Sequence, residues 1–314
     1  MSSTPEVRAV LADLLPWTAV DVVEVGRQDR RGTVLTMLNV TPAAGGPVQR
    51  LVLKQYRPGD EEGDGTWAAH VGQALEAAGM RAPAPDRVAL SLAARPGALL
   101  CEHAPGVSWR ATVGTADGER AAAAVGRWVA ALQSHRLDAP VGTRRGPEGA
   151  RRQLDALLLL DAPPPDRVAV AGERVLLGLA EPQPLVLAHG NLHPDNLFVD
   201  VGAPGLVVTA IDLDTAARRE PAYDVGYGLA QLVIRSLRRP GRDHGERAAR
   251  AFLDGYRTAE GLAPDDRIAL QAARAVLQAL HYEAVGMRQP ARAQELLLPF
   301  LEGLVLQGLD VLRR

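Results

Sequence analysis

The chain has 314 residues, 47% of them hydrophobic, and a formal net charge of −2. That length and apolar content suffice for one large domain or two lobes with their own cores, and they exclude a disordered chain. A charge so near zero offers no general attraction to nucleic acid or to an anionic membrane, and no run approaches the ~20 apolar residues of a membrane span.

The single cysteine, Cys101, permits no internal disulfide, and the N-terminal segment lacks an apolar core of signal-peptide length. A cytoplasmic protein without nucleic-acid or membrane partners is expected. Strand signals then crowd the first hundred residues. Val20 to Val25, Thr33 to Val40 and Val48 to Gln55 are candidates, with a hairpin loop over residues 41–47 between the last two. Thr66 to Ala78 reads as a helix whose apolar stripe is Trp67, Val71, Ala74, Leu75 and Ala78, closed by Gly79. Val88 to Leu92 and Ala98 to Glu102 suggest two further strands, so that all strands up to Glu102 form one antiparallel sheet. From Gly118 the pattern turns helical over Ala121–Leu132, Gly149–Leu160, Arg247–Tyr256, Asp265–Met287 and Ala291–Leu312, interrupted by a β-rich stretch from Leu185 to Leu213. The expected architecture is α+β: a small strand-rich lobe over residues 1–104, then a larger helical lobe over residues 105–314.

Lysine and arginine total 35, and Lys54 is the only lysine among them. It stands on the third strand, where Val48, Arg50, Val52 and Lys54 alternate with Gln49, Leu51, Leu53 and Gln55 at period two. An ammonium is a compact point charge that a planar guanidinium does not replace where phosphates must be held at one spot. A chain that otherwise uses arginine for its long cations, yet keeps one lysine on a strand, marks that lysine as functional.

The densest motif is His189-Gly190-Asn191-Leu192-His193-Pro194-Asp195-Asn196, followed by a short apolar strand and Ile211-Asp212-Leu213-Asp214. Together with Leu100-Cys101-Glu102-His103-Ala104-Pro105-Gly106 upstream and Glu220-Pro221-Ala222-Tyr223-Asp224 downstream, this resembles the aminoglycoside phosphotransferase and choline kinase branch of the protein-kinase-like fold. The resemblance implies a two-lobed fold, an antiparallel β-sheet N-lobe plus a helical C-lobe, and transfer of the γ-phosphate of ATP, bound with Mg2+, to a hydroxyl of a small molecule or peptide. It implies that Lys54 holds the α- and β-phosphates, and that Asn196 and Asp212 supply oxygens to the metal, which suits a cation preferring oxygen ligands. Val34 and Val52 would cover the adenine ring, and the backbone of Glu102 and Ala104 would pair with it, with Cys101 as gatekeeper. Gly32-Thr33-Val34 matches the end of a glycine-rich phosphate loop, and equally a plain hairpin turn.

The sequence departs from the family at two points. The position of the catalytic aspartate is Asn191, whose neutral amide can orient a hydroxyl but cannot accept its proton. The glutamate expected on the helix after the strand lysine falls near Ala68, leaving Glu76 on the face opposite the apolar stripe and Glu61 and Glu62 ahead of the helix. Two readings therefore stand: a phosphotransferase with an altered base position, and a nucleotide-binding pseudokinase. His189 is carried with Asn191 and Lys54 in the catalytic set, although as a residue it reads as a hydrogen-bonding brace; His193 serves as base or support. A metallohydrolase built on His189 and His193 lacks further ligands. Asp214 reads as a second metal ligand or loop brace, and Asp224 as the anchor of the catalytic loop. The run Arg235, Arg238, Arg239, Arg242 is either an anion site or a solvated helix end.

Overall fold

The computed structural model describes residues 4–15, 19–30, 32–57, 65–80, 85–89, 91–136, 148–160, 166–202, 206–238 and 243–313. The chain opens with a helix absent from the expectations, α1 (Pro5–Leu14), whose Thr4 hydroxyl caps the Val7 N–H and whose Pro5 stands at the first helical position. Three long antiparallel strands follow: β1 (Ala19–Arg30), β2 (Thr33–Pro42) and β3 (Gln49–Tyr56). The β1–β2 ladder runs as far as the pair Arg30↔Thr33. Next come α2 (Thr66–Ala77), β4 (Asp86–Val88), β5 (Ser91–Arg95), β6 (Ala98–Glu102) and β7 (Val107–Ser108).

The first sheet has the order β1-β2-β3-β6-β5 and is antiparallel throughout. Strand alternation gives it two apolar faces. Leu38, Val40, Leu51, Leu53 and Leu100 pack with Val7, Val10, Leu11 and Leu14 of α1 in a core of their own. The opposite face carries the cross-strand neighbours Leu35 with Lys54, Met37 with Val52, and Cys101 with Val52. The expectation that every strand up to Glu102 belongs to this sheet is corrected: the segment read as Val88–Leu92 is split, and β4 pairs in parallel with a strand of the other lobe. In α2 the buried positions are Ala68, Ala69, Val71, Gly72 and Leu75, so the stripe is rotated toward Ala68 and away from the exposed Ala78.

The second lobe is mainly helical. It comprises α3 (Trp109–Thr112), α4 (Gly118–Ser134), α5 (Glu148–Leu158), α6 (Asp166–Leu179), α7 (Ala222–Leu237), α8 (Asp243–Thr258), α9 (Asp265–His281) and α10 (Pro290–Gln307). The helix expected to reach Met287 changes after His281 to one π-turn, Tyr282–Gly286. Between α6 and α7 lie β8 (Val186–Ala188), β9 (Leu197–Asp200), β10 (Val207–Ala210) and β11 (Ala217–Arg219). They form a sheet of order β4-β10-β9-β7 and a β11-β8 ribbon.

Helices α4 and α8 meet where neither has a side chain. A Cβ on Gly126 would run into the Phe252 carbonyl oxygen, and one on Gly255 into the Ala123 carbonyl oxygen. Gly-to-Ala in a helix interior ordinarily stabilises by about 1 kcal/mol, but here the added methyl must push two backbones apart. Gly126→Ala is expected to destabilise by roughly 1–2 kcal/mol net of that propensity gain, read as a lower urea midpoint. An unchanged or higher midpoint would show that the helices are not in backbone contact.

Candidate active site

Lys54 reaches across from the first sheet to the second lobe. Its Nζ donates to Asp212 Oδ1 at 2.6 Å and, more closely, to Asp214. Tyr56, two residues along the same strand, donates its hydroxyl to the other oxygen of Asp214 at 2.9 Å and carries the ammonium 5.0 Å above its ring. Burial pulls the Lys54 ammonium down, but the two carboxylates outweigh it and hold its pKa above the ordinary value. Burial pushes the Asp214 carboxyl up, and Lys54 only partly offsets this. The partner expected from α2 is thus supplied by the loop after β10. Ala68 is buried among apolar neighbours, and α2 contributes Trp67, whose indole N–H donates to Ala216 O at 3.2 Å and ties the helix to that loop. Glu61 and Glu62 lie outside the described residues.

Asp212 and Asn196 are neighbours because the β9–β10 ladder pairs Leu197 with Ala210 and continues with Ile211 N–H donating to Asn196 O at 2.9 Å. Asn196 Nδ2 donates to Asn191 O at 3.0 Å and lies 3.5 Å from Asp212 Oδ2. Asp212 itself turns through a left-handed backbone conformation, φ 65°, which a non-glycine residue keeps only where its surroundings hold it.

The loop bearing Asn191 is held from below. Fully buried Asp224, at the start of α7, accepts from His189 N–H at 2.6 Å and Gly190 N–H at 3.0 Å. Burial pushes this carboxyl up as well. Gly190 adopts φ 83°, and a Cβ there would strike the Thr215 carbonyl oxygen, so the loop and the Asp214 turn touch backbone to backbone. His189 is fully buried, its Nε2 on Ile211 O at 2.8 Å and its Nδ1 accepting from Asn191 N–H at 3.3 Å. With both ring nitrogens engaged it braces the loop and has none left for a metal or a proton transfer. His193 sits against Arg235 at 3.2 Å and Asp195 at 3.4 Å, which also makes it a support.

A cavity of about 280 Å³ lies between the lobes, walled by Leu35, Met37, Val52, Leu99 and Cys101 above and by Phe198, Ile211, Asn196, Asp212 and Asp214 below, with Lys54 at its inner end. Glu102, His103 and Ala104 form its edge, and no described backbone group pairs with the Ala104 N–H. Val52 is where the sequence puts it. Val34 is not: it lies opposite Gln55, on the other face from Lys54, and Leu35 and Met37 take its place. Burial pushes the Cys101 thiol up to about 12, so it serves as an apolar wall and not a nucleophile. Asn191 is partly exposed and outside the walls of this cavity.

Among the described residues no group of three or more His, Cys, Asp or Glu side chains is arranged to hold a metal ion, and no helix is long and apolar enough to cross a membrane. The oxygens of Asn196, Asp212 and Asp214 nevertheless suit a hard divalent cation whose remaining ligands come from phosphates.

A small antiparallel sheet over a helical lobe, joined by a lysine-aspartate contact, defines a two-lobed protein-kinase-like fold. Residues 38–269 match the phosphotransferase enzyme family (APH), and the chain belongs to that family. No curated protein matches it by sequence. Among solved structures, the GDP and kanamycin complex of APH(2")-IIia aligns over 96% of this chain and 99% of its own, at 14% identity and a TM-score of 0.63. The amicoumacin kinase hAmiN, in complex with AMP-PNP, Ca2+ and Ami, aligns over 96% and 92% at 16% identity and a TM-score of 0.62. A choline/ethanolamine kinase family protein from Mesorhizobium loti aligns over 96% and 99% at 16% identity and a TM-score of 0.59. These likenesses are of fold.

Removing Lys54 exposes the balance in the cluster. Without the ammonium, the Asp214 carboxyl, already raised by burial, rises further. A carboxyl whose folded pKa exceeds its unfolded value stabilises the fold below that value and gives up the contribution as pH rises through the folded one. Lys54→Ala is therefore expected to cost about 3 kcal/mol near pH 7.5, with the deficit narrowing as pH falls toward 5. Urea midpoints at the two pH values measure it, and an equal deficit at both would contradict the assigned charge balance.

Proposed function

We propose that the protein transfers the γ-phosphoryl group of ATP, bound with Mg2+, to a hydroxyl of a small molecule in the cytoplasm. The observation that carries this reading is Lys54 meeting Asp212 at 2.6 Å across the cleft, with Asn196 beside the same carboxylate. That is the set of groups phosphoryl transfer requires. Its transition state is loose, so positioning and charge neutralisation do most of the work. In this reading residues 1–104 hold the nucleotide and residues 105–314 carry the catalytic loop and the acceptor.

The nucleobase would lie between Val52, Leu35 and Met37 above and Phe198 and Ile211 below, with its edge toward the backbone of Glu102 and Ala104. Lys54 would exchange one of its two carboxylates for phosphate oxygens. Asn196 and Asp212 would hold the metal, which supplies charge neutralisation at the phosphates when bound. Asn191, fixed through Asp224 and Asn196, would orient the acceptor hydroxyl by hydrogen bond and leave its proton to the departing phosphoryl group. The structures alike in fold described above include a complex with GDP and kanamycin and one of an amicoumacin kinase with AMP-PNP, Ca2+ and Ami, which supports a small-molecule acceptor over a peptide.

Asn191 favours a second reading, a pseudokinase that binds nucleotide without transferring phosphate. ATP with Mg2+ at a hundredfold excess over Kd is expected to raise the wild-type melting temperature by roughly 5 °C. Lys54→Ala and Asp212→Ala should each remove most of that rise, and an unchanged wild-type melt would end the nucleotide reading. Asn191→Asp separates the two roles. For an enzyme with a neutral residue at the base position it should accelerate acceptor-dependent ATP consumption by about 10²-fold, near the low end of general-base effects, without changing the ATP-induced melting shift. For a pseudokinase it yields no turnover.

A further inference from the structure

A second cavity, of about 570 Å³, shares no wall residue with the first. It opens between the α5–α6 pair, the start of α7, β11 and α9. Its floor is cationic. Arg219 and Arg267 are 8% and 5% exposed, and Arg274 is half-buried. Two carboxylates stand near them: Glu220, which Arg267 and Gln271 both engage, and buried Asp224, whose charge acts on Arg219 and which is itself held by two backbone N–H groups. Arg267 also donates to Gly178 O at 2.6 Å, so that guanidinium is fully occupied within the fold.

The other two guanidiniums are held differently. Arg219 and Arg274 stack against the single ring of Tyr223, at 3.9 and 4.3 Å from its centroid. Arg274 donates through Nε to Gln271 at 2.6 Å, yet its Nη2 is shut off from solvent with no acceptor, and no described carboxylate pairs with this residue. A desolvated cationic donor without a partner is costly, and a ligand oxygen that fills the place recovers the cost. Glu148, Arg152 and Glu181 line the rim, where they are exposed and screened.

We infer that this cavity binds an anionic group, a carboxylate or phosphate, and that the acceptor of the reaction is a hydroxylated acid rather than a polycation or a quaternary amine. The anion site stands on the arginine floor alone; its assignment to the acceptor rests on the phosphotransferase reading. Topology connects the two. The β11–β8 ladder pairs Arg219 with Val186 and Ala217 with Ala188, and Ala188 leads directly into the Asn191 loop. Two residues of strand place Arg219 about 7 Å from the level of Ala188, three residues before Asn191. Tyr223 immediately precedes Asp224, which holds that loop.

The test has two arms. Calorimetric titration of inorganic phosphate into Lys54→Ala protein, where the nucleotide cleft lacks its phosphate-binding cation, should show saturable binding. Adding Arg274→Gln should weaken it by about tenfold or more, the worth of a charged hydrogen bond, while Arg274→Lys keeps part of the affinity. Equal phosphate affinity with and without Arg274→Gln, or no saturable binding, overturns the anion site. In the second arm, ATP consumption is followed with polyhydroxylated acids and their neutral amides, such as gluconate and gluconamide, and with kanamycin. Preference for acids, with a KM raised about tenfold by Arg274→Gln and kcat less affected, supports the acceptor assignment. Phosphate binding that depends on Arg274, combined with turnover confined to neutral or cationic acceptors, keeps the anion site and overturns the assignment. If ATP itself fails to bind, the first arm still decides the site.

Discussion

One ammonium holds this molecule's two lobes in register. Lys54 is anchored in the centre of the first sheet, between β2 and β6, and both of its partners belong to the loop after β10. Asp214 in particular depends on it, being buried enough that its carboxyl is pushed upward even with the lysine present. The chain's sole lysine therefore supplies the charge on which both carboxylates converge. The carboxylates occupy the ammonium, and in the proposed function phosphate oxygens would have to compete for it. A protein that replaced Lys54 by arginine would present a fork of fixed planar donors to two carboxylates and a phosphate at three different angles.

Behind that contact sits a second, wholly buried support. Asp224 spends both oxygens on consecutive backbone N–H groups of the loop that presents Asn191, and Gly190 allows the loop to lie directly on the Thr215 backbone. His189 closes the arrangement by bridging Asn191 N–H to Ile211 O, and so links the loop to the residue before Asp212. Asn191 is thereby set on a rigid mount, whatever chemistry its amide performs. The neutral side chain is a change at the tip of an otherwise intact scaffold.

Much of this was legible in the residues. The loop motif, the paired aspartates and the isolated lysine gave the family and the two lobes, because phosphate and metal chemistry restrict both residue type and spacing. What the sequence concealed was mostly register. Val34 and Leu35 are both apolar, and choosing the one beside Lys54 requires knowing how β2 slides against β3, where a slip of one residue exchanges the faces. The pairing of Lys54 with Asp214 spans 160 positions and replaces a partner expected on α2, so no local pattern announced it. The helix α1 was readable in principle. Thr4-Pro5 is a helix start, and Val7, Val10, Leu11 and Leu14 recur at helical spacing. α6 likewise repeats Val168, Ala171, Val175 and Leu179 on one face. β4 could not have been placed, since three residues carry too little pattern to say which of two sheets they join.

That short strand has a mechanical consequence. Because β4 hydrogen-bonds to β10 while β5 belongs to the first sheet, the chain changes sheet three times along its order: from β3 to β4, from β4 to β5, and from β6 to β7. A single connecting strand would let the lobes bend and twist about any axis. Three covalent ties between the two sheets restrict their relative motion more than one would. The last β4 pair, Val88 with Ala210, is two residues from Asp212. A displacement of the first sheet is thus passed through β4 to the strand that leads into Asp212, the carboxylate that Lys54 engages.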